Sequence, residues 1–236
     1  HSLAFLNTDW TLTDFGRDDY HPLNIIPEKP ENLEEMLAIA RKLSVGIPHV
    51  RVDLYNIDKH IYFGELTLYT CSGYIPFNPK EYDGKLGDLL TLSNAIGGGK
   101  YLIVNGIAKP FKPEYDELKD YKFFCFNGKV RFFKVDFGRF VEHHANYYSL
   151  EGELLEFGEQ GLEPDPNYPV ELPNNLNEMI SLVEKLSANE PFLRVDLFNV
   201  NGKIFFGELT FYPASGLGKW TTEEADMKIG KYLKLN

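Results

Sequence analysis

Cysteine is nearly absent: Cys71 and Cys125 are the only two in 236 residues. Two thiols make neither a disulfide framework nor a cysteine-rich metal site, and a reducing cytoplasmic setting is the simpler expectation. Positive charge is also short, with 24 Lys and Arg against 35 Asp and Glu, a formal net charge of −11. That balance excludes a general nucleic-acid surface or an anionic-membrane surface, though it leaves room for a local cationic pocket. Long apolar runs are missing, and none approaches the roughly 18–20 residues a membrane span requires. The opening His1–Leu6 stretch is too short and too soon polar for a secretory signal. No Ser-His-Asp or Cys-His spacing suggests nucleophilic catalysis. What remains is ample hydrophobic and aromatic material, 43% and 14%, which excludes global disorder.

The chain repeats itself. Arg51-Val52-Asp53-Leu54-Tyr55-Asn56 and Phe63-Gly64-Glu65-Leu66-Thr67 return as Arg194-Val195-Asp196-Leu197-Phe198-Asn199 and Phe206-Gly207-Glu208-Leu209-Thr210. The displacement is constant, since 196 − 53 = 143 and 208 − 65 = 143. Alignment extends outward, with His1–Phe15 matching His143–Phe157 and Asn32–Met36 matching Asn175–Met179. The second copy also has an extension, about 96–142, with no counterpart in the first. The expected domains are therefore 1–92, a linker or hinge over 93–119, and 120–236. Gly97-Gly98-Gly99 has linker composition. Ser93-Asn94-Ala95 matches the remnant left by proteolytic removal of a purification tag, so a coincidence and an artificial junction both stay open.

Periodicity supplies the elements. Leu33, Met36, Leu37, Ala40 and Leu43 recur at helical spacing, and Asn32 with Glu35 predicts a capped start, repeated by Asn175 and Glu178. Strands are expected over 50–55 and 61–69 around a turn at 56–59, and the second copy carries the hairpin signal Asn201-Gly202. Tyr121–Phe126 and Val130–Val135 flank Asn127-Gly128, another hairpin. Helices are expected over 80–90 and 223–233. The class is α+β, antiparallel sheet with covering helices.

An acid on one strand followed by an acid on the next can hold a divalent cation. Asp196 and Glu208 are such a pair, and Mg²⁺ accepts hard oxygen ligands with few from the protein. Arg194, two residues before Asp196, shares its face and can hold a phosphoryl group. Thr210 shares the face of Glu208, and Ser215-Gly216 follows in a loop able to meet an anion. Asp53, Glu65 and Arg51 are the first-copy equivalents. Against this stands the plainer reading that alternating polar residues on strands form a solvated face with salt bridges. His143-His144 reads as surface loop, Glu34-Glu35 and Glu223-Glu224 as solvated helix residues, Trp10 and Trp220 as packing or rim aromatics, and Tyr147-Tyr148 as strand-edge core.

Arg-Val-Asp, then Gly-Glu-Leu-Thr, then Ser-Gly, resembles the metal-binding end of an ATP-grasp domain. The run Asp120–Lys129 resembles the start of the C-terminal half in the TupA-like ATP-grasp family, associated with cell-surface polysaccharide and teichuronopeptide synthesis. The resemblance covers 100–236 and, in shorter form, 1–92. It implies a tandemly repeated ATP-grasp-like C-terminal lobe using ATP and Mg²⁺ to activate a carboxylate on a small-molecule or saccharide substrate. Asp196 and Glu208 (with Asp53 and Glu65) would be metal ligands, Arg194 (with Arg51) would stabilise the transferring phosphoryl group, and Lys122 would contact nucleotide phosphate. The chain departs from the family pattern in several places. Thr210 and Thr67 stand where many ATP-grasp enzymes have Asn, no acidic hinge residue lies near Val104-Asn105, and Gly97–Lys100 is a poor phosphate loop. The lysine-bearing upstream lobe is not visible, so the chain reads as two C-terminal lobes or fragments of larger enzymes. Competing classes are a non-catalytic module binding nucleotide, sugar or a partner protein, and a glycosyltransferase of the same pathway. Self-association through the repeated lobes is a further expectation.

Overall fold

The computed structural model describes residues 2–17, 19–23, 25–68, 77–89, 102–104, 107–109, 119–137, 143–162, 164–168 and 170–234. His1, Cys71, Ser72-Gly73, Ser93-Asn94-Ala95, Gly97–Lys100 and Asn105 lie outside them. The chain divides into two compact units, His1–Phe63 with Thr67–Pro113, and Gly64–Leu66 with Glu114–Asn236.

The first unit opens with two short parallel strands, β1 (Ser2–Leu3) and β2 (His21–Pro22), before helix α1 (Leu33–Leu43). Strands β3 (Arg51–Ile57) and β4 (His60–Thr67) follow, joined at Asp58-Lys59, both at positive φ. The short helix α2 (Glu81–Gly87) comes next. The segment expected as linker contains an antiparallel pair, β5 (Leu102–Val104) with β6 (Ile107–Lys109).

In the second unit, β7 (Asp120–Phe126) turns through Asn127-Gly128 into β8 (Lys129–Phe137), followed by β9 (His144–Tyr148), helix α3 (Leu176–Leu186), β10 (Phe192–Val200) and β11 (Lys203–Thr210). A 3₁₀ turn (Pro213–Gly216) and helix α4 (Glu223–Gly230) complete it. The strands lie in the order β11-β10-β7-β8-β9, each antiparallel to its neighbour. This is the α+β arrangement that the periodicity implies. The strand and helix ends shift by one to three residues from the sequence expectation; α4, for example, stops at Gly230.

Period-two alternation divides the sheet's side chains into two sets. Tyr121, Phe123, Cys125, Phe133, Val135, Leu193, Val195 and Leu197 form one buried cluster with Met179 and Val183 of α3. Phe124, Phe126 and Phe132 form the other with Ile229 of α4, Trp220 and Tyr147. At roughly 1.5–3 kcal/mol per fully buried large apolar side chain, these two clusters dominate the unit's stability.

The repeat is structural as well as sequential. Phe5, Phe15 and Phe77 pack as a triad with ring centroids 5.0–5.8 Å apart, and their counterparts Tyr147, Phe157 and Trp220 do the same at 5.7–6.1 Å. Trp10 and its counterpart Gly152 both adopt positive φ in matching turns, bracketed by the bridges Leu6–Leu12 and Tyr148–Leu154. The helix starts differ from expectation in the same way in both copies. Asn32 and Asn175 occupy the N-cap positions but make no capping hydrogen bond. Asn175 Nδ2 donates instead to Gly202 O (2.9 Å), and Asn199 Nδ2 donates to Asn175 Oδ1 (2.5 Å). In the first copy Asn32 Nδ2 donates to Lys59 O (3.0 Å) and Asn56 Nδ2 to Asn32 Oδ1 (2.8 Å). The asparagine joins the helix to the tip of the hairpin, a tertiary partner that outcompetes the local cap.

Candidate functional site

The Phe-rich side of the second unit's sheet changes character along its strands. Rows through Phe124 and Phe132 are apolar. Two residues further along, β8, β7, β10 and β11 present Lys134, Lys122, Asp196 and Glu208, each the direct register partner of the next. Asp120 and Asp136 are likewise opposite one another. Strand periodicity alone produces this: Asp120-x-Lys122 on β7, Lys134-x-Asp136 on β8, Arg194-x-Asp196 on β10 and Glu208-x-Thr210 on β11 each place two polar groups on one side.

A bulge makes the pattern possible on β11. Asp196 pairs with Glu208 but Leu197 pairs with Phe206, so Gly207 is the extra residue. The bulge resets alternation. Phe206 and Ile204 join Leu209 and Phe211 in the apolar cluster, while Glu208 and Thr210 face the charged row. A Cβ at 207 would meet Phe198 Cε2 at 2.9 Å and Asp196 O at 3.0 Å, so any larger residue would have to push a neighbour aside. The Gly-Glu dipeptide of the repeated motif is thus a geometric device for turning the glutamate inward.

Asp196 is the hub. Its side chain is 2% exposed. Arg194 grips it bidentately, Nε to Oδ1 at 2.8 Å and an Nη to Oδ2 at 2.9 Å, and Lys122 Nζ also donates to Oδ2. The same Arg194 Nη reaches Glu208 Oε1 at 2.6 Å, and the Thr210 hydroxyl donates to that oxygen too. Lys122 Nζ bridges onward to Asp120 Oδ2 at 2.6 Å. Further along the row Lys134 Nζ bonds Glu159 Oε2 at 2.6 Å and lies 3.7 Å from Asp136 Oδ1, with His143 Nε2 3.7 Å from Asp136 Oδ2.

The electrostatics follow from this crowding. Burial works against the charge on Asp196, but Arg194 and Lys122 outweigh it and hold the carboxyl below its ordinary range. Burial would lower Lys122, yet Asp120 and Asp196 keep its ammonium above the usual lysine value. Arg194 is raised likewise by Asp196 and Glu208 in spite of burial. Glu208 is the exception: burial and the Asp196 charge push it up to about 7, against the pull of Arg194. Two carboxylates sharing one guanidinium do not both ionise easily, so the pair stores a proton near neutral pH.

Asp196, Glu208, Arg194, Thr210 and Lys122 are therefore brought into one network. Lys122, the weakest of these in sequence, joins the Asp196 hub to Asp120. The first-copy residues are placed differently. Arg51 holds Asp53 at 2.8 and 3.0 Å in the same bidentate form, but both side chains are 40% exposed. Glu65 lies on β4. Ser215 sits at positive φ in the 3₁₀ turn, and its amide donates to Tyr212 O (3.0 Å), so that N–H is not turned toward an anion. Tyr147 and Tyr148 are core, Trp220 packs between Phe124, Phe132 and Phe157, and His144 stacks on Phe137. Asp120, Lys134, Asp136 and Glu159 escaped sequence reasoning. The mirrored Asp-x-Lys and Lys-x-Asp flanking one hairpin was the available signal for three of them; Glu159 arrives from a loop and left none.

The TupA-like ATPgrasp family model matches residues 1–91 and again 102–234. The chain belongs to this family. Both matched stretches carry the Arg-Val-Asp and Gly-Glu motifs, so the family region is present twice. No curated protein and no solved structure matches the chain. No helix among the described residues is long and apolar enough to cross a membrane.

Proposed function

We propose that the second repeat is the metal- and phosphate-binding lobe of an ATP- and Mg²⁺-dependent carboxylate ligase acting in cytoplasmic assembly of cell-surface polysaccharide. One observation carries this reading: Asp196 and Glu208 face each other in register, close enough for a single Arg194 nitrogen to bond both. That spacing suits one shared cation. Among the described residues no group of three or more His, Cys, Asp or Glu is placed to hold a metal ion. A two-carboxylate site fits Mg²⁺ only when a substrate's phosphates and water complete the shell, which is how Mg²⁺ is held with nucleotides. The raised pKa of Glu208, about 7, is the second sign of fit, since an acid favoured in its protonated form by burial and by the Asp196 charge ionises when a cation takes the proton's place.

Mg²⁺ bound there would offset charge on the nucleotide's terminal phosphates. The chain's own residues do the rest. Arg194 and Lys122 neutralise Asp196 and offer guanidinium and ammonium donors to phosphate oxygens. Thr210 fixes the Glu208 carboxyl by donating to Oε1. The apolar cluster of Phe124, Phe132 and Trp220 beside the row keeps water from that end. The first repeat carries the same motif in a wetter setting, with Asp53, Glu65 and Arg51 as its equivalents.

A second reading has its own support. Both Asp196 oxygens are already taken by cations from the chain, as in a self-neutralised, non-catalytic module. Calorimetric titration of ATP with and without Mg²⁺ into the wild-type chain, Asp196→Asn and Glu208→Gln separates the two. The ligase reading expects Mg²⁺-dependent binding that both substitutions remove. Absence of Mg²⁺-dependent binding to a folded wild-type chain refutes it in favour of the module.

A further inference from the structure

Two ammonium groups lie side by side on the charged row, and they are not equivalent. Lys122 and Lys134 are direct cross-strand partners on β7 and β8, a placement that is destabilising for like charges unless anions intervene. The partners of Lys122, Asp120 and Asp196, are themselves buried side chains on strands, so its ion pairs are fixed in the sheet. Lys134 is just as buried, at 4% exposure, but its near partner Glu159 is 28% exposed and comes from a loop, not a strand, whose main chain is held to residues 219–221 by the Glu159–Trp220 bridge and the Gln160 and Gly158 hydrogen bonds. The loop backbone is anchored independently, Glu159 N–H donating to the Tyr147 hydroxyl at 3.1 Å. Glu159 can therefore swing its carboxylate away without moving its main chain.

We propose that Lys134 is the anchor for an oxyanion of the second, acidic substrate, and that Glu159 is the stand-in that this oxyanion displaces. The proposal rests on the ligase reading for the identity of that substrate. Lys134 and Asp196 are two strands apart, roughly 10 Å at the usual inter-strand spacing. A group at Lys134 is too far along the row to be the phosphate next to a cation held by Asp196 and Glu208. It belongs to a different molecule or to the far end of one, and it is a carboxylate or a phosphate, the groups that fit a lysine already bonding a carboxylate oxygen. The Tyr147 ring, centred 5.8 Å from the ammonium, lies on its apolar side. Asp136 Oδ1, 3.7 Å away, is a second carboxylate beside the ammonium and stays in place on β8.

The probes are inorganic phosphate and succinate, titrated separately into the wild-type chain, Glu159→Gln and Lys134→Gln, with Mg²⁺–ATP titrated into the same three and into Asp196→Asn. Removing the internal competitor in Glu159→Gln is expected to tighten at least one probe about ten-fold, and Lys134→Gln to weaken it by about ten-fold or more. Which probe responds identifies the group as phosphate or carboxylate. Mg²⁺–ATP affinity is expected to stay within about two-fold in both variants and to be lost in Asp196→Asn. If Glu159→Gln stays folded by circular dichroism and tightens neither probe, the anchor is refuted and the pair is a structural ion pair only. If a probe binds through Lys134 while Mg²⁺–ATP binds nowhere, the anion anchor stands and the ligase reading falls.

Discussion

Replacing Asp196 by Asn removes one negative charge from a site where two cations depend on it. Three charge-assisted hydrogen bonds converge on this carboxylate, two from Arg194 at 2.8 and 2.9 Å and one from Lys122. With an effective dielectric near 20, each of the two ion pairs so made, Arg194 and Lys122 with Asp196, is attractive by about 6 kcal/mol at about 2.8 Å before desolvation. Desolvation offsets most of that in the intact network, but removal of one partner leaves the others buried and uncompensated, which costs about 3–5 kcal/mol. The same substitution at Asp53, 143 residues earlier, meets the same bidentate arginine in a setting where both side chains are 40% exposed. Water takes over there, and the expected cost is about 0–1 kcal/mol. One chemical change in two copies of one motif should therefore differ by about 3 kcal/mol.

The assay must read the two units separately. Hydrogen exchange by mass spectrometry across a urea series does so, on peptides covering β3 and β10. Asp196→Asn should shift the β10 transition to lower urea, and Asp53→Asn should leave the β3 transition nearly in place. Equal shifts, or a larger one for Asp53→Asn, would refute the argument that burial sets the energetics of the motif. A neutral Asp196→Asn would also show that Asp120 and Glu208 can neutralise Lys122 and Arg194 unaided.

Glu208, held at about 7 against an ordinary 4.5, keeps a proton that the unfolded chain has already lost. Metal-free stability should fall by on the order of 3 kcal/mol as pH rises from about 4.5 to about 7 and then level off, and Glu208→Gln should flatten that window in urea titrations at stepped pH. Gly207→Ala drives a Cβ into Phe198 and the Asp196 carbonyl, with an expected loss of about 1–3 kcal/mol by thermal melting; a neutral result would mean the bulge relaxes freely. Asn175→Ala removes the junction between α3 and the β10–β11 turn, costing about 1–2 kcal/mol and speeding exchange at Gly202, without the fraying of the first turn of α3 that removal of a true cap would cause. Cys125 is fully buried, burial pushing its thiol up to about 12, so it should resist a thiol-specific reagent in the native chain and react once the chain is unfolded.

The repeated motif shows what a sequence carries and what it leaves to the fold. Arg194-x-Asp196 and Glu208-x-Thr210 were legible because strand period two is a local rule, and their convergence needed only that the strands be adjacent. The inward turn of Glu208 was not legible. It depends on Gly207 being an extra residue opposite one partner, and a glycine in a strand can equally mark a weak strand or a close approach. The helix starts failed for a related reason: Asn followed by Glu is a capping signal at short range, but the asparagine found a better partner 24 residues away on the hairpin. The wider site, with Asp120, Lys134, Asp136 and Glu159, was hidden because ionic residues on a strand normally signal solvent. Only the tertiary arrangement reveals that these are buried, and burial changes their meaning. An exposed Lys–Glu pair contributes little and implies nothing, whereas a buried lysine held by a half-exposed loop carboxylate is a charge kept inside with an exchangeable partner. The two copies make the same point on one chain. Arg51-x-Asp53 and Arg194-x-Asp196 are identical in sequence and in bidentate geometry, yet Asp196 pairs across to Lys122 of β7 and is buried, while Arg51 and Asp53 are each 40% exposed. In the second repeat β7 and β8 bring Lys122 and Lys134 alongside Asp196 and withdraw the motif from water, so its electrostatics are set by the strands that cover it and not by the motif itself.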